Sequence, residues 1–406
     1  SKGGIMLTIT ATNPSNYLRN IRVIMPGGRS ADDAFLYLEE APADAPQTFE
    51  SFEDTYTKNI FHPMFLDRLR SYKVLRYMDW METNWSEQEF WADRPAPSNA
   101  RWSVKGAPVE VMCDLANTLS ADPWFCIPHL ATDDYVEQFA TIVRDRVSAD
   151  LKIYIEYSNE TWNYLFSQAH YALEQGEALG LNSNVYTAAV LFRSKRSVEI
   201  FQIFERVFGG TERLVRVMGS QVGSTWVSRE LLSYNDAYLY TDAVAVAPYF
   251  GGYLGAPGEL SRVTAMSLDQ LFVELQTVAL PQAIAWMQGQ ASVAAEFGVE
   301  LVAYEGGQHL VGYYGAENDA TLNALFDAAN DDMRMGALYD TYLSAWQNAG
   351  GGIFIHFCNC MGYNKHGRWG SLRNMYQSRE DAPKFDAIQR FIEAAQAENP
   401  QYQYVG

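Results

Sequence analysis

The chain has 406 residues, a formal net charge of −19 and 19% charged residues. That charge argues against nucleic acid and anionic membrane surfaces as partners, because both would be repelled, and it disfavours highly sulfated or uronate-rich polymers. No apolar run is long enough to span a bilayer, and the length suits one elaborated barrel or two smaller domains.

The start, Ser1-Lys2-Gly3-Gly4, is not a signal peptide and reads as the trimmed beginning of a longer chain. Residues 5–12 (IMLTITAT) read as an extra strand or the tail of an upstream β-domain, which divides the chain into 1–15 and 16–406. Residues 21–25 (IRVIM) are predicted as the first strand, ending at Pro26-Gly27-Gly28. Residues 63–72 have helical periodicity, and 73–78 (KVLRYM) form the second strand. A helix over 108–120 with Pro at its start leads into the third strand, 124–128. Residues 133–148 form a helix capped by Asp133.

The fourth strand is 152–158 (KIYIEYS), and two helices fit between Tyr164 and Gly209. Residues 214–218, 243–247 and 300–304 are further buried-type strands, with helical sequence at 267–297 and 323–348. An eighth strand at 352–357 (GIFIHF) and a closing helix at 382–397 complete the pattern. Continuous apolar strands alternating with helices imply a parallel sheet buried on both faces. Eight such units predict a closed (β/α)8 TIM barrel of class α/β.

The cysteines Cys113, Cys126, Cys358 and Cys360 match no zinc spacing and read as small core residues. The six histidines form no metal motif, and phosphate-loop, dinucleotide and Gly-x-Ser-x-Gly signatures are absent. No metal or cofactor is expected. Aromatic residues reach 14%, with 10 Trp and 25 Tyr. Such rings suit a carbohydrate groove, because sugars expose apolar C–H faces that stack on flat side chains.

Catalytic groups of such barrels stand at the C-terminal ends of strands. The fourth strand ends in Glu156-Tyr157-Ser158-Asn159-Glu160-Thr161-Trp162-Asn163 and the seventh in Tyr304-Glu305-Gly306-Gly307. Strands four and seven lie on opposite walls of a closed barrel, so their carboxylates can flank a glycosidic bond. Glu156 sits deeper in its strand and reads as a structural ion-pair partner.

An Asn-Glu pair ending strand four with a Glu ending strand seven resembles the clan A glycoside hydrolases, retaining (β/α)8 enzymes. The resemblance implies Glu160 as general acid/base, Asn159 as a ligand of the substrate 2-hydroxyl and Glu305 as nucleophile. It also implies Arg76 as the cation keeping Glu305 ionised, Tyr249 as its hydroxyl donor and His129 as a polar contact. The eighth strand departs from that pattern: it ends His356-Phe357-Cys358-Asn359 where many members carry Trp, and Trp369 is the candidate replacement platform.

Trp80, Trp162 and Trp226 each follow an expected strand, where sugar stacking and core packing both fit. Asp79, Glu82, His309, Asn359 and Lys365 also fall near expected rims. Asn84-Trp85-Ser86 matches a glycosylation sequon, as does Asn159-Glu160-Thr161. The reading is a monomeric, secreted or periplasmic, endo-acting β-glycan hydrolase. Exo action on the same scaffold and a non-catalytic carbohydrate-binding barrel are the alternatives. The mechanism implies carboxyl groups roughly 5–5.5 Å apart.

Overall fold

In the computed structural model, which describes residues 8–398, the strand expected at 21–25 does not form. Ile21, Val23 and Met25 are 53%, 81% and 61% exposed. Their β-branched character has no partner strand or core face to act on, and strand propensity is realised only through such packing. Residues 8–12 form no strand either, and Ile5, Met6 and Leu7 lie outside the described residues.

The chain divides into two units between Arg68 and Leu69. The first holds a three-stranded antiparallel sheet of β1 (Gly28–Ser30), β2 (Tyr37–Leu38) and β3 (Phe49–Ser51), in the order β2-β1-β3. Gly28 faces Ser51 and Arg29 faces Glu50, whose side chains pair across the strands at 2.6 Å. Ser51 caps the short α1 (Phe52–Thr55) by accepting from the Asp54 N–H. Tyr37, Phe52 and His62 pack their rings together. Helix α2 (Pro63–Leu69) spans the division.

The second unit is a mixed α/β structure around a curled parallel sheet. Its strands are β4 (Val74–Arg76), β5 (Asp122–Ile127), β6 (Ile153–Tyr157), β7 (Leu214–Gly219), β8 (Ala243–Val246) and β9 (Glu300–Ala303). They pair in strict chain order from β4 to β9. Every residue of β6 and of β8 is buried, as a sheet covered on both faces requires.

Helices fill the crossovers: α3 (Val109–Leu119), α4 (Asp133–Arg146), α5 (Ser167–Ala178), α6 (Val185–Phe208), α7 (Thr225–Ser233), α8 (Leu260–Thr264), α9 (Leu268–Glu274) and α10 (Leu280–Phe297). After β9 come α11 (Ala320–Asp331), α12 (Met333–Asn348) and α13 (Pro383–Glu398). In α3 the buried Val111, Met112, Leu115, Ala116 and Leu119 recur at helical spacing and form the core-facing stripe. Thr132, not Asp133, caps α4, accepting from the Tyr135 N–H. Asp133 instead sits in the first turn, where a carboxylate complements the helix dipole. None of the described helices is long and apolar enough to cross a membrane.

The closed eight-stranded TIM barrel is corrected to an open sheet of six strands. The eighth expected strand is reduced to one parallel bridge, Ala303 to Phe354, with bonds from Ala303 N–H to the Ile353 carbonyl and from Ile355 N–H to the Ala303 carbonyl. The first expected strand is absent, so β4 is the sheet's other edge among the described residues. The antiparallel sheet lies instead in the long polar loop expected after residue 28, while the helix expected at 63–72 forms as α2.

Candidate active site

Parallel strands deliver their C-terminal ends to one side of a sheet, so Arg76, the residues after Tyr157, those after Val246 and those after Ala303 converge. Arg76, the last residue of β4, is the hub. Its Nη1 donates to Glu305 Oε1 at 2.9 Å, its Nε to Glu156 Oε2 at 3.0 Å and its Nη2 to Asn159 Oδ1 at 2.8 Å. The guanidinium and both carboxylates are almost fully buried. Glu156 also accepts from the Trp124 indole at 2.9 Å, which makes it the deeper anchor of Arg76.

Glu305 receives its second donor from Tyr249, whose hydroxyl lies 3.0 Å from Oε2. The two loops that carry these residues are tied by Tyr342 of α12. Its buried hydroxyl donates to the Pro248 carbonyl at 2.7 Å and accepts from the Gly307 N–H at 3.2 Å. Glycine is needed after Glu305: Gly307 has φ +136°, and a Cβ on Gly306 would meet the Phe354 ring at 2.2 Å.

After β6 the chain turns through two left-handed residues, Ser158 (φ 57°) and Glu160 (φ 41°). Each costs about 1–3 kcal/mol for a residue with a Cβ, a cost that the surrounding contacts must offset. Gln168, fully buried, supplies some of them. Its amide donates to the Asn159 carbonyl at 2.9 Å and to Asn84 Oδ1 at 2.7 Å, and Asn159 donates to the same Asn84 oxygen at 3.0 Å. Glu160 accepts from Asn163 at 2.9 Å.

Burial raises the carboxyl pKa of Glu156, Glu160 and Glu305 above the usual range, against the pull of Arg76 on all three. The charge of Glu160 raises Glu305 further. Three carboxyls face one guanidinium, so complete ionisation would bury an excess of negative charge. Both oxygens of Glu305 are already occupied by donors, whereas among the described residues Glu160 accepts only from Asn163. A proton retained by the Glu160–Glu305 pair therefore belongs on Glu160, since protonated Glu305 would forfeit an accepting site.

The other sequence candidates divide. The Trp369 ring packs edge-on against Tyr249 at 5.7 Å and His309 at 4.9 Å, which places it beside the Tyr249–Glu305 bond. Trp162 lies beside the Tyr304 hydroxyl, and its indole nitrogen is buried. His129 is buried edge-on to Tyr171, and burial lowers its pKa to about 4, so the ring is neutral. Trp80 packs on Tyr77, and Trp226 is half exposed on the first turn of α7.

Sequence reasoning passed over Asn163, Asn84 and Gln168. Asn163 carried a signal in its helix-turn spacing from Glu160, and Asn84 was masked by its sequon. Gln168 carries no sequence signal. Cys113 and Cys126 are buried, Cys358 and Cys360 half-buried, and all four are free thiols. Among the described residues no cluster of His, Cys, Asp and Glu could hold a metal ion. Beyond Tyr249 a cleft of about 410 Å³ continues along Ala247, Gly251, Gly252, Tyr253 and His309.

No protein-family model matches the chain, and no curated protein matches its sequence. Similar solved structures include a GH51 arabinofuranosidase from Xanthomonas axonopodis pv. citri, with TM-score 0.41, 12% identity, 81% of this chain and 63% of that one covered. A 4-O-α-L-rhamnosyl-β-D-glucuronidase from Fusarium oxysporum has TM-score 0.45 and 11% identity over 80% of this chain and 59% of its own. An endo-β-1,4-mannanase from Thermotoga petrophila has TM-score 0.43 and 11% identity over 83% and 73%. The chain thus spans less than two thirds of the length of the first two.

Proposed function

We propose that the protein is a retaining glycoside hydrolase in which Glu305 is the nucleophile and Glu160 the acid/base. The observation that carries this reading is the setting of Glu305: a buried carboxylate held between the Arg76 guanidinium and the Tyr249 hydroxyl, within electrostatic reach of Glu160. Two donors fix the Glu305 oxygens and favour its ionised form, as a nucleophile needs. Glu160, half-buried and bonded among the described residues to one amide donor, is suited to carry a proton, since desolvation raises its pKa.

In the first displacement a Glu305 oxygen attacks the anomeric carbon while the Glu160 proton passes to the departing glycosidic oxygen. The bond to that oxygen breaks and a glycosyl ester forms on Glu305. Glu160, now ionised, takes a proton from water, whose oxygen attacks the same carbon. The ester opens, and the sugar leaves with its original configuration. Asn159, already held by Arg76 and Asn84, is positioned to bond a substrate hydroxyl, and Trp369 to offer a ring face.

The substrate class that fits is a β-linked polysaccharide, met outside the cytoplasm. The cleft that continues past Tyr249 supports attack within the chain rather than at its end. The test is incubation with a panel of polysaccharides, reading product sizes and anomeric configuration beside a Glu305→Gln control. The expected outcome is oligosaccharide release with retained configuration by the wild type alone. Inverted products would end the retaining assignment, release of monosaccharide alone would make the enzyme exo-acting, and binding without hydrolysis would make it a carbohydrate-binding protein.

A further inference from the structure

Apart from Tyr249, the cleft is built from parts to which the catalytic reading gives no role. Its wall is completed by Val222 after β7, Gln282 and Trp286 on the first turns of α10, and Tyr313 beyond β9. Crossover helices begin at the side of the sheet where the strands end, so α10 brings these two side chains to the same side as Glu305. Its volume of about 410 Å³ lies within the roughly 300–1,000 Å³ of ordinary ligand sites.

Its chemistry is selective. None of the side chains lining it carries a formal charge, and burial lowers the His309 pKa, which keeps that ring neutral. The hydroxyl of Tyr249 is engaged by Glu305, and that of Tyr253 by Glu274 at 2.9 Å. Two of its hydroxyls are thus held by carboxylates that are themselves paired with arginines, Glu305 with Arg76 at 2.9 Å and Glu274 with Arg262 at 3.2 Å. Gln282 and Trp286, by contrast, make no side-chain hydrogen bond among the described residues, and Trp286 is only half-buried. An amide and an indole ring left free in one uncharged concavity suit a ligand with hydroxyl groups and an apolar face. The close approach of chain and ring on the opposite wall depends on Gly252, where a Cβ would stand 3.2 Å from His309 Nδ1.

We propose that this cleft is a subsite for an uncharged sugar unit next to the one being cleaved, with Trp286 as its stacking platform and Gln282 as its hydroxyl ligand. The proposal rests on the hydrolase reading for the word "next", through Tyr249, which lines the cleft and bonds the nucleophile. It makes the substrate a neutral glycan. A sulfate or uronate in this cleft would find no cation among the side chains that line it, and the arginines behind the wall are already engaged by Glu305 and Glu274, so its charge would go unpaired.

The experiment compares wild type, Trp286→Ala, Trp286→Phe and Gln282→Ala on neutral oligosaccharides of increasing length, on their uronate counterparts, and on a small aryl glycoside. For Trp286→Ala, KM on the longer neutral oligosaccharides is expected to rise roughly tenfold, the loss of about one ring stack. Activity on the aryl glycoside should stay within about twofold, because nothing fills the cleft there. Trp286→Phe should recover part of the loss, which a merely structural role would not produce.

Unchanged KM along the length series, or equal use of uronate oligosaccharides, would overturn the subsite. Should the wild type hydrolyse nothing, quenching of tryptophan fluorescence by the neutral oligosaccharides decides separately. Quenching that is lost in Trp286→Ala upholds the subsite while the hydrolase reading fails; no response to any neutral oligosaccharide overturns both.

Discussion

The guanidinium of Arg76 lies 2.9 Å from Glu305 in a setting where both side chains are almost closed to solvent, and the same group also holds Glu156 and Asn159. One cation therefore fixes a candidate nucleophile, its structural counterweight and a candidate substrate ligand.

Replacing Arg76 by Lys is expected to lower kcat about 10²–10³-fold, because a point-like ammonium cannot reproduce three directed bonds. Replacement by Met should also cost about 3–5 kcal/mol of stability, since the buried Glu156 and Glu305 lose the cation that bonds them. Steady-state kinetics and denaturant melts check both. A Lys variant with wild-type kcat would remove Arg76 from the mechanism.

If Glu160 is the acid, Asn163 is expected to set the alkaline limb of the pH–rate profile. Its amide lowers the Glu160 pKa by bonding the ionised form. Removing that donor raises the pKa, so Glu160 keeps its proton to higher pH and the alkaline limb of kcat/KM moves upward in Asn163→Ala. The acid limb, governed by Glu305, should stay in place. A downward shift of the alkaline limb would contradict the assignment of the acid.

Glu305→Gln should be inactive yet more stable than the wild type, by a margin that grows with pH. The sign follows from linkage: the folded-state carboxyl titrates above its ordinary value of 4.5. The wild type thus loses stability as pH rises through the raised pKa, while Gln does not titrate. Thermal melts across a pH series measure the gap, and a margin that narrows as pH rises would show that the carboxylate is favoured by folding.

Tyr342→Phe removes a hydroxyl that ties the Tyr249 loop to the Glu305 loop. The Pro248 carbonyl and Gly307 N–H lose a partner inside the core, at about 1–3 kcal/mol each. A melting point lowered accordingly, with kcat reduced more than KM is raised, is the expected pattern. Full activity in a stable Phe variant would show that the tie does not position the pair.

Much of this was legible from residue 63 onward. Helix periodicity located α2 and α4, because burial of one face imposes a 3.6-residue spacing that needs no knowledge of the partner, while α5 and α6 were foreseen only as two helices fitting between Tyr164 and Gly209. The first strand was misread for the converse reason: residues 21–25 have strand-forming side chains, but a strand exists only where another offers hydrogen bonds and a face to cover. Asn84, Gln168 and Tyr342 were invisible because each makes a bond to a residue more than 30 positions away.

By itself the sequence determined which carboxylates would stand at strand ends. Asn159-Glu160 and Glu305 each follow an apolar run, and parallel strands in chain order bring such ends to one side. Only the tertiary structure decided that Arg76 divides itself among Glu156, Glu305 and Asn159, that Trp369 rests on Tyr249, and that the sheet stays open at β4. Those outcomes depend on contacts between residues far apart in the chain, whose distances are set by how the strands register and how the loops are tied, and local composition carries no record of either.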